Sequence, residues 1–499
     1  MRNYLADYDQ VAVSANLKET ALNTEQTLDT ALLVEKATVI QLDPRREDNR
    51  DELTGKEEAD TIYDLGFLTA ASLNFGKAQS QHFAFGLAYA LGAVVTTVSG
   101  TGYKHVITPT GSMLLPSFTA AQRFGLTIFK RRFASLHVDV LKATFEKDSW
   151  AKLSLECKGT GKYTDSMSKE TVTAAYNVAS LTLAANAVQG STAATRLDNV
   201  HSVRVLSPST GQWVDVTVSV VSADTPAVLT ITPAAGAAIE GISKAAAAVV
   251  TWTGHGLVNG DEITLAGITQ AEWSALNATH VVTKIGDDTF SIPVDTSAFA
   301  EVYAPSTDPG TIVNATDADF EIVYTPTESA WCPLPARVTE GRPLRVTDCV
   351  LKMGGKWNGT TYLGGHTISD EVESIEYTLN NNLTIEYRIG GTGSYANYAI
   401  RQGRLQTLTL NRQMRDFLLQ QRMADNEYFT VWIKATGDEY ATGEDCSVEL
   451  LFPSCGLLKA PISVNGKILA EAGDLIVMDD DTYGSVRAEV INNVATYAA

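Results

Sequence analysis

The sequence lacks the motifs that carry most enzymatic chemistry. It contains no P-loop, no G-x-G-x-x-G motif after a strand, no G-x-S-x-G elbow and no H-E-x-x-H motif. Its seven histidines are scattered, and no two of them share the spacing of metal ligands. Carboxylate pairs of the kind that a glycoside hydrolase needs would arise by chance among so many Asp and Glu residues, so they carry little weight. We therefore predict no enzyme activity, no catalytic residue, no cofactor and no metal site.

The chain also lacks the signs of an oxidised, secreted or membrane-spanning protein. None of its five cysteines forms a C-x-x-C pair, and their wide spacing favours reduced thiols and folding in a cytosol. The first residues, from Met1 to Asp9, contain no apolar run of the kind found in secretory signals. The most apolar stretch, Phe83 to Val95, is too short to span a bilayer.

Positive charge is scarce as well. The chain has 38 Lys and Arg residues against 58 Asp and Glu residues, which gives a net charge of -20. An ordinary duplex-DNA binder needs a basic face to neutralise phosphates, so this balance disfavours that function. It suits a surface past which DNA moves without adhering. With 499 residues, 44% of them hydrophobic, the chain can form about two to four domains with buried cores.

Alternation of apolar and polar residues is the dominant pattern. Leu136, Val138 and Val140 alternate with polar neighbours, and so do Leu153 and Leu155. Such a period of two predicts strands with one buried face. Further predicted strands lie at Val200–Leu206, Val214–Val221, Ala227–Thr232 and Phe320–Tyr324, and β-patterning is continuous from Val346 onward. The chain is therefore predicted to be mainly β with few helices.

Two segments have helical spacing. The first is predicted from apolar residues at Phe83, Leu87 and Leu91, with Gly92 as its C-cap. The second is expected to begin near Asn411, a good N-cap. Its core-facing stripe would consist of Met414, Phe417 and Leu418. If the Phe417 side chain is fully buried, its truncation would cost about 3–5 kcal/mol.

A strand-and-helix pattern occurs twice. The first copy comprises Phe133–Phe145 followed by Trp150–Gly161. The second comprises Ile400–Leu410, a helix-like segment and Tyr428–Gly437. Each copy has an alternating strand, a connector, a second alternating strand and a turn that ends in glycine. A duplicated β-unit indicates assembly more than catalysis.

These patterns divide the chain into four parts. Short alternating strands around the hairpin signal Asn259-Gly260 predict a small inserted β-barrel. A change to Thr, Ala, Ser and Val precedes it and marks a β-connection that belongs to the main body. The predicted parts are a first β-domain at 1–170, the connection at 171–240, the inserted domain at 241–312 and a second β-domain at 313–499.

A charged segment, Asp43–Asp60, is predicted to be a long exposed loop, because Pro44 and Gly55 interrupt it. An ordinary solvated loop is the default interpretation. The alternative is a loop that becomes ordered against a neighbouring subunit, since its charges have both signs. The candidate contact residues are Arg45, Arg46, Asp48, Arg50, Asp51 and Glu52.

Several segments resemble tail tube proteins of long-tailed bacteriophages (siphoviruses). The residues that carry the resemblance are Leu115–Gly125, Ala134–Leu141, Trp150–Gly159, Glu373–Asn380, Arg401–Leu410, Tyr428–Gly437 and Val477–Val490. The resemblance covers about 1–235 and 314–499, and it is one of pattern more than of diagnostic motifs. The inserted segment Gly254–Val294 resembles small β-domains of phage tail proteins, which look like a β-domain of ubiquitin-activating enzymes. No catalytic cysteine lies in it, so that chemistry is not carried over.

The resemblance implies a structural virion protein. Its duplicated halves would be β-sandwiches or barrels whose sheets join those of neighbouring copies into a ring, with the inserted domain on the outer surface. Rings would stack into a tail tube with an acidic channel for DNA, assembled in the bacterial host cytoplasm. Tail terminator, tape measure and distal tail proteins would be its other partners. If each chain supplies two tube domains, three chains form a pseudo-sixfold ring, and this trimer is favoured over a hexamer.

A second interpretation is a β-rich phage adhesin or decoration protein that binds cell-surface glycan. The Thr- and Ala-rich strands of residues 171–312 would suit it. It predicts a discrete oligomer that never polymerises. The charged segment and the duplicated halves favour stacked rings.

Overall fold

The structure, a computed structural model, describes residues 9–52, 56–125, 129–232, 236–307, 310–327, 332–336, 342–391 and 393–499. Strands make up 50% of the chain and helices 7%, which confirms the prediction of a mainly-β protein. The chain forms two compact units, of which the first is built from Met1–Thr164 with Cys332–Ala499 and the second from Asp165–Trp331. Within the described ranges, no helix combines the length and apolarity needed to cross a membrane.

Ten strands and a helix come first along the described chain. The strands are β1 (Gln10–Val13), β2 (Thr30–Leu32), β3 (Gln41–Asp48), β4 (Ile62–Phe75), β5 (Gly92–Ser99), β6 (Gly102–Pro109), β7 (Phe118–Phe124), β8 (Phe129–Glu146), β9 (Lys152–Gly159) and β10 (Tyr163–Asp165). The helix is α1 (Ser80–Leu91).

Helix α1 lies in the core of the first unit. Every residue from Ser80 to Leu91 is buried, and the helix packs on β8 and β6. At its start, the backbone N–H of Gln79 donates to Nδ1 of His82 at 3.1 Å. Gly92 ends the helix in the left-handed conformation with φ of 91°, which confirms the predicted C-cap.

The second unit follows along the chain. Its strands are β11 (Ser168–Ala175), β12 (Ser180–Thr182), β13 (Val200–Leu206), β14 (Trp213–Asp215), β15 (Val218–Val221), β16 (Val228–Ile231), β17 (Ala237–Ala238), β18 (Gly241–Ile242), β19 (Ala248–Thr251), β20 (Glu262–Ala266), β21 (Thr279–Val281), β22 (Thr283–Lys284), β23 (Thr289–Ile292), β24 (Thr311–Asn314) and β25 (Asp317–Tyr324). Its helices are α2 (Ala193–Asp198) and a 3-10 turn (Trp273–Leu276).

The second unit has two separate hydrophobic cores. One lies between the sheets β11-β25-β13-β14 and β12-β16-β15. The other lies between β17-β24-β20-β21 and β18-β19-β23-β22, where the fully buried Trp273 and Phe290 fill the space. The inserted segment was predicted to be a small β-barrel, but its described strands form two sheets without closure, because they are short and pair only within their own sheet. The stretch 171–240, predicted to belong to the main body, lies in this unit.

The rest of the first unit completes the chain. Its strands are β26 (Cys349–Met353), β27 (Lys356–Trp357), β28 (Tyr362–Leu363), β29 (His366–Thr367), β30 (Val372–Asn380), β31 (Leu383–Glu386), β32 (Tyr398–Arg401), β33 (Leu405–Gln413), β34 (Phe429–Ala441), β35 (Glu444–Lys459), β36 (Ile462–Asn465), β37 (Ile468–Met478) and β38 (Arg487–Asn492). Its helices are α3 (Leu418–Ala424) and a 3-10 turn (Val346–Asp348).

A long antiparallel sheet crosses both segments of the first unit. Its strands lie in the order β3-β4-β9-β8-β30-β33-β37, and β37 then pairs with the C-terminal part of β35 and with β36. Leu73, Leu155, Leu141 and Leu379 lie in register on four neighbouring strands and are fully buried. This apolar face of the sheet covers the core, as the period-two pattern requires.

The second-half helix begins later than predicted. Asn411 belongs to β33, because β37 pairs with β33 as far as Gln413, the last residue of β33. Such a long-range contact leaves no local signal in the sequence. Leu419 is the buried residue of α3, whereas Leu418 is half-buried. Phe417 is 73% exposed, so its assignment to the core is wrong and the cost predicted for its truncation does not apply. Met414 lies outside the helix and is half-buried.

The strand pairing of the two predicted copies differs. Strands β8 and β9 form a hairpin, whereas β33 and β34 are connected by α3 and pair with other strands. A topological repeat exists in another alignment. In this alignment, β3–β4 corresponds to β30–β33, and helix α1 corresponds to α3. The hairpin β5–β6 corresponds to β34–β35. The return strands β8 and β9 correspond to the end of β35 and to β37. In both halves the last strand pairs with the strand that precedes the helix, as β9 does with β4 and β37 with β33.

Candidate assembly surface

The two halves of the first unit meet edge to edge at β8 and β30. The register of this antiparallel pair runs from Glu146 opposite Ser374 to Val140 opposite Asn380. One half therefore extends the sheet of the other by ordinary backbone hydrogen bonds. The same chemistry would serve between two copies of a chain, since the donors and acceptors of an edge strand have no sequence requirement.

Buried polar side chains fix this junction. Asn381 is fully buried, and its Nδ2 donates to the carbonyl oxygens of Ala90 at 3.0 Å and Val138 at 3.1 Å. The carboxylate of Asp139 accepts from the backbone N–H of Leu383 at 2.7 Å. These bonds connect helix α1, strand β8 and the end of β30. Asn381 gives no local signal in the sequence, because its role depends on three segments that are distant along the chain.

The repeat identifies the two ends of the sheet as equivalent to the junction. Strand β3 corresponds to β30, and within the described chain it pairs only with β4. The end of β35 and strand β36 correspond to β8, and they pair with β37 on one side. Each end therefore presents an edge of the kind that β8 and β30 satisfy for each other.

Large apolar side chains are exposed at both ends of the sheet. Ile62 is 69% and Leu65 59% exposed on β4, next to β3. Leu458 is 66% and Val464 70% exposed at the opposite end. Large contiguous apolar patches mark interaction sites of several kinds, so these exposed side chains make the two ends candidate contact surfaces.

The face of the sheet that points away from the core carries small and polar side chains. One row in register contains Asn74, Ser154, Lys142, Thr378 and Thr407. The next row contains Lys152, Thr144, Glu376, Thr409 and Asp474.

The lysines of this polar face are neutralised by neighbouring carboxylates. Nζ of Lys142 lies 2.9 Å from Glu376, and Nζ of Lys152 lies 3.0 Å from Glu146. At the far end, Lys459 lies 2.8 Å from Asp474. A phosphate near these groups would have to compete with carboxylates that are already in place, so the face offers polyanions little attraction.

The segment Asp43–Asp60 forms much of an exposed hairpin where a loop was expected. Asp43–Asp48 lies in β3, which pairs with β4 from Gln41 opposite Ala70 to Asp48 opposite Ile62. Residues 53–55 of the segment are outside the described residues. The loop prediction is wrong for β3 because this edge strand is exposed on both faces, so no apolar alternation marks it.

Three of the predicted contact residues at the hairpin are held within it. Nε of Arg50 donates to Oδ2 of Asp48 at 2.8 Å, and this bond lowers the pKa of Asp48. The hydroxyl of Tyr63 donates to Oε2 of Glu52 at 2.8 Å. These side chains therefore stabilise the end of the hairpin within the single chain.

The other three predicted contact residues form fewer or weaker contacts within the hairpin. Arg46 lies 3.9 Å from Asp64, and both side chains are about half exposed. Asp51 is exposed. Arg45 forms no ion pair with any residue that the structure describes. Arg45 is thus the candidate arginine whose charge is most available to a second chain.

A buried arginine in β33 was not anticipated from the sequence. Arg412 is 1% exposed, and its guanidinium lies 2.9 Å from Glu371, 2.7 Å from Asp416 and 2.9 Å from Glu471. His366, Glu371 and Asp416 also place ligand atoms within 4.8 Å of one another, as a metal site would. The guanidinium already supplies these carboxylates with a cation, so the cluster is explained as an ion-pair network.

No protein-family model matches this chain, and no curated protein matches it. The features of the first unit that bear on function are a sheet whose two free edges correspond to the two sides of the β8–β30 junction, a polar face and a charged hairpin.

Proposed function

We propose that this chain is a structural subunit whose copies join into rings, and that the rings stack into a phage tail tube through which DNA passes. The observation that carries the proposal is the β8–β30 junction, where one half of the chain extends the sheet of the other. The chain would assemble with itself in the host cytoplasm and become part of the virion tail.

The topological repeat supplies the mode of contact. Because β3 corresponds to β30, and the end of β35 with β36 corresponds to β8, the edge β35–β36 of one copy would pair with β3 of the next. Such a contact uses two different surfaces, so it propagates from copy to copy until the sheet closes. A closed ring has no free edge, which removes the hazard of uncontrolled pairing.

The polar face of the sheet suits the wall of the channel. Small Ser, Thr and Asn side chains with paired lysines give DNA phosphates no cluster of free cations to bind. The acidic balance of the whole chain, with a net charge of -20, points the same way. Rapid passage of DNA requires weak contact, and this surface would provide it.

Two repeats in each chain favour a ring of three chains with pseudo-sixfold symmetry over a ring of six. The hairpin β3–β4 would reach the adjacent ring, with Arg45 as its available charge. Terminator, tape measure and distal tail proteins would meet the ends of the tube.

The test is electron microscopy of the purified chain over a concentration series. Hollow tubes or stacked rings are expected, and their symmetry would distinguish trimer from hexamer. A particle that stays discrete at all concentrations and binds cell-surface glycan would replace this proposal with the adhesin.

The inserted domain offers a second, sharper test. Strands β17 and β24 pair with Ala237 opposite Ile312, so the chain enters and leaves this domain on adjacent strands. A short Gly-Ser linker in place of residues 237–314 should therefore leave the remaining strands undisturbed. We expect this variant to form tubes like the full chain. Loss of tubes in a folded deletion variant would contradict an outer, dispensable position.

A further inference from the structure

The first unit contains a cavity lined by two arginines. It lies between the end of β6 and the turn that follows β37, and its volume is about 680 Å³. Its walls include Thr108–Gly111, Arg401, Arg404, Gln406 and Tyr483. None of the predicted contact residues lies in it.

Both arginines are held by neutral oxygen acceptors. Arg401 donates from Nε to the carbonyl of Ser112 at 3.0 Å and from Nη2 to the carbonyl of Thr110 at 3.2 Å. Nε of Arg404 approaches Oδ1 of Asn381 only to 3.5 Å. Its Nη2 is buried and has no hydrogen-bond partner among the described residues. The described residues therefore satisfy the Arg404 guanidinium only in part.

The charges of the cavity are unbalanced. Neither Arg401 nor Arg404 forms an ion pair within the described part of the chain, although acidic residues outnumber basic ones by 58 to 38. Burial and the neighbouring Arg401 lower the pKa of Arg404 to about 10. Asp479 lines the cavity without reaching either guanidinium at ion-pair distance. Two like charges in a partly desolvated space are stabilised when an anion lies between them.

We propose that this cavity binds an oxyanion, a carboxylate or phosphate group, between the guanidinium groups of Arg401 and Arg404. Planar guanidinium groups match both anions through paired N–H···O bonds. This site goes beyond the assembly proposed above and does not depend on it.

Calorimetric titration of the dilute full chain with inorganic phosphate tests the site, with chloride used to hold the ionic strength constant. Saturable binding near one phosphate per chain is expected. Arg404→Met keeps the apolar stem and removes the charge, and it should weaken phosphate binding about tenfold or more. Arg415→Met removes an exposed arginine outside the cavity and should leave binding unchanged.

Absence of saturable binding to the unmodified chain would overturn the proposal, as would equal binding by a folded Arg404→Met variant. If that variant does not fold, Arg401→Gln provides the same comparison. Sedimentation velocity in phosphate and in chloride then identifies the source of the natural anion. Once saturable phosphate binding is established, weaker self-association in phosphate indicates a carboxylate of a second copy, and unchanged self-association indicates a free anion.

Discussion

A carboxylate on the free edge of the sheet should block ring formation without unfolding the chain. Val464 lies on β36 and is 70% exposed, so Val464→Glu removes little buried surface. We expect the free energy of unfolding of the single chain to change by no more than about 0.5 kcal/mol. In the proposed ring, the next copy covers this position.

The effect on assembly follows from the area that remains to be buried. Full burial of a valine side chain contributes roughly 1.5–3 kcal/mol, so covering the exposed part of Val464 would contribute about 1–2 kcal/mol per contact. A carboxylate loses this contribution and adds the cost of its own desolvation. At 1.4 kcal/mol per tenfold change, we expect each contact to weaken by at least about tenfold.

Sedimentation velocity and electron microscopy over a concentration series measure this effect. Val302→Glu is the matched control, because Val302 is 71% exposed and lies in the inserted domain. The control should form rings at the same concentration as the unmodified chain. If Val464→Glu also does so, β36 is not a contact edge and the equivalence with β8 is refuted.

Three further predictions concern the hairpin, the junction and acid stability. Arg45→Ser should shorten tubes while single rings remain, because the charge of Arg45 is unpaired within the described chain. Arg50→Ser should shorten tubes less, because Arg50 is bound to Asp48. Equal tube lengths for Arg45→Ser and the unmodified chain would contradict this prediction. Asn381→Ala should lower the free energy of unfolding by about 2–4 kcal/mol in denaturant titrations, since it removes the buried Nδ2 donor of the Ala90 and Val138 carbonyls. A loss below about 1 kcal/mol would contradict the junction's role. Burial lowers the pKa of His82 to about 3, so this histidine stays neutral in the folded chain while it protonates near pH 6.5 in the unfolded chain. The contribution of neutral His82 to the free energy of unfolding is therefore complete above pH 6.5 and decreases by about 1.4 kcal/mol per pH unit as the pH falls toward 3. His82→Gln should reduce the slope of the free energy of unfolding against pH between about pH 6 and pH 4. An unchanged slope would contradict this prediction.

Local patterns in the sequence correctly predicted those helices and strands in which the order of apolar and polar residues itself marks the buried face. The alternation that begins at Leu136 and Val138 and that of Leu153 and Leu155 predict two strands that the structure contains, and Gly92 ends α1 as expected. The predictions were wrong where contacts with other parts of the chain determine the secondary structure or the burial of a residue. The edge strand β3 has no apolar face, and Phe417 has helical spacing but no contact partner that buries it.

The sequence by itself determined that this protein is mainly β, acidic and without recognisable catalytic motifs, because composition and period-two spacing are local properties. Only the tertiary structure decided which strands are neighbours. Three features each join segments far apart in the chain: the pairing of β8 with β30, the burial of Arg412 between Glu371 and Glu471, and the cavity that brings Thr108–Gly111 to Arg401 and Arg404. Such contacts depend on long-range register and charge balance, and local spacing does not encode them.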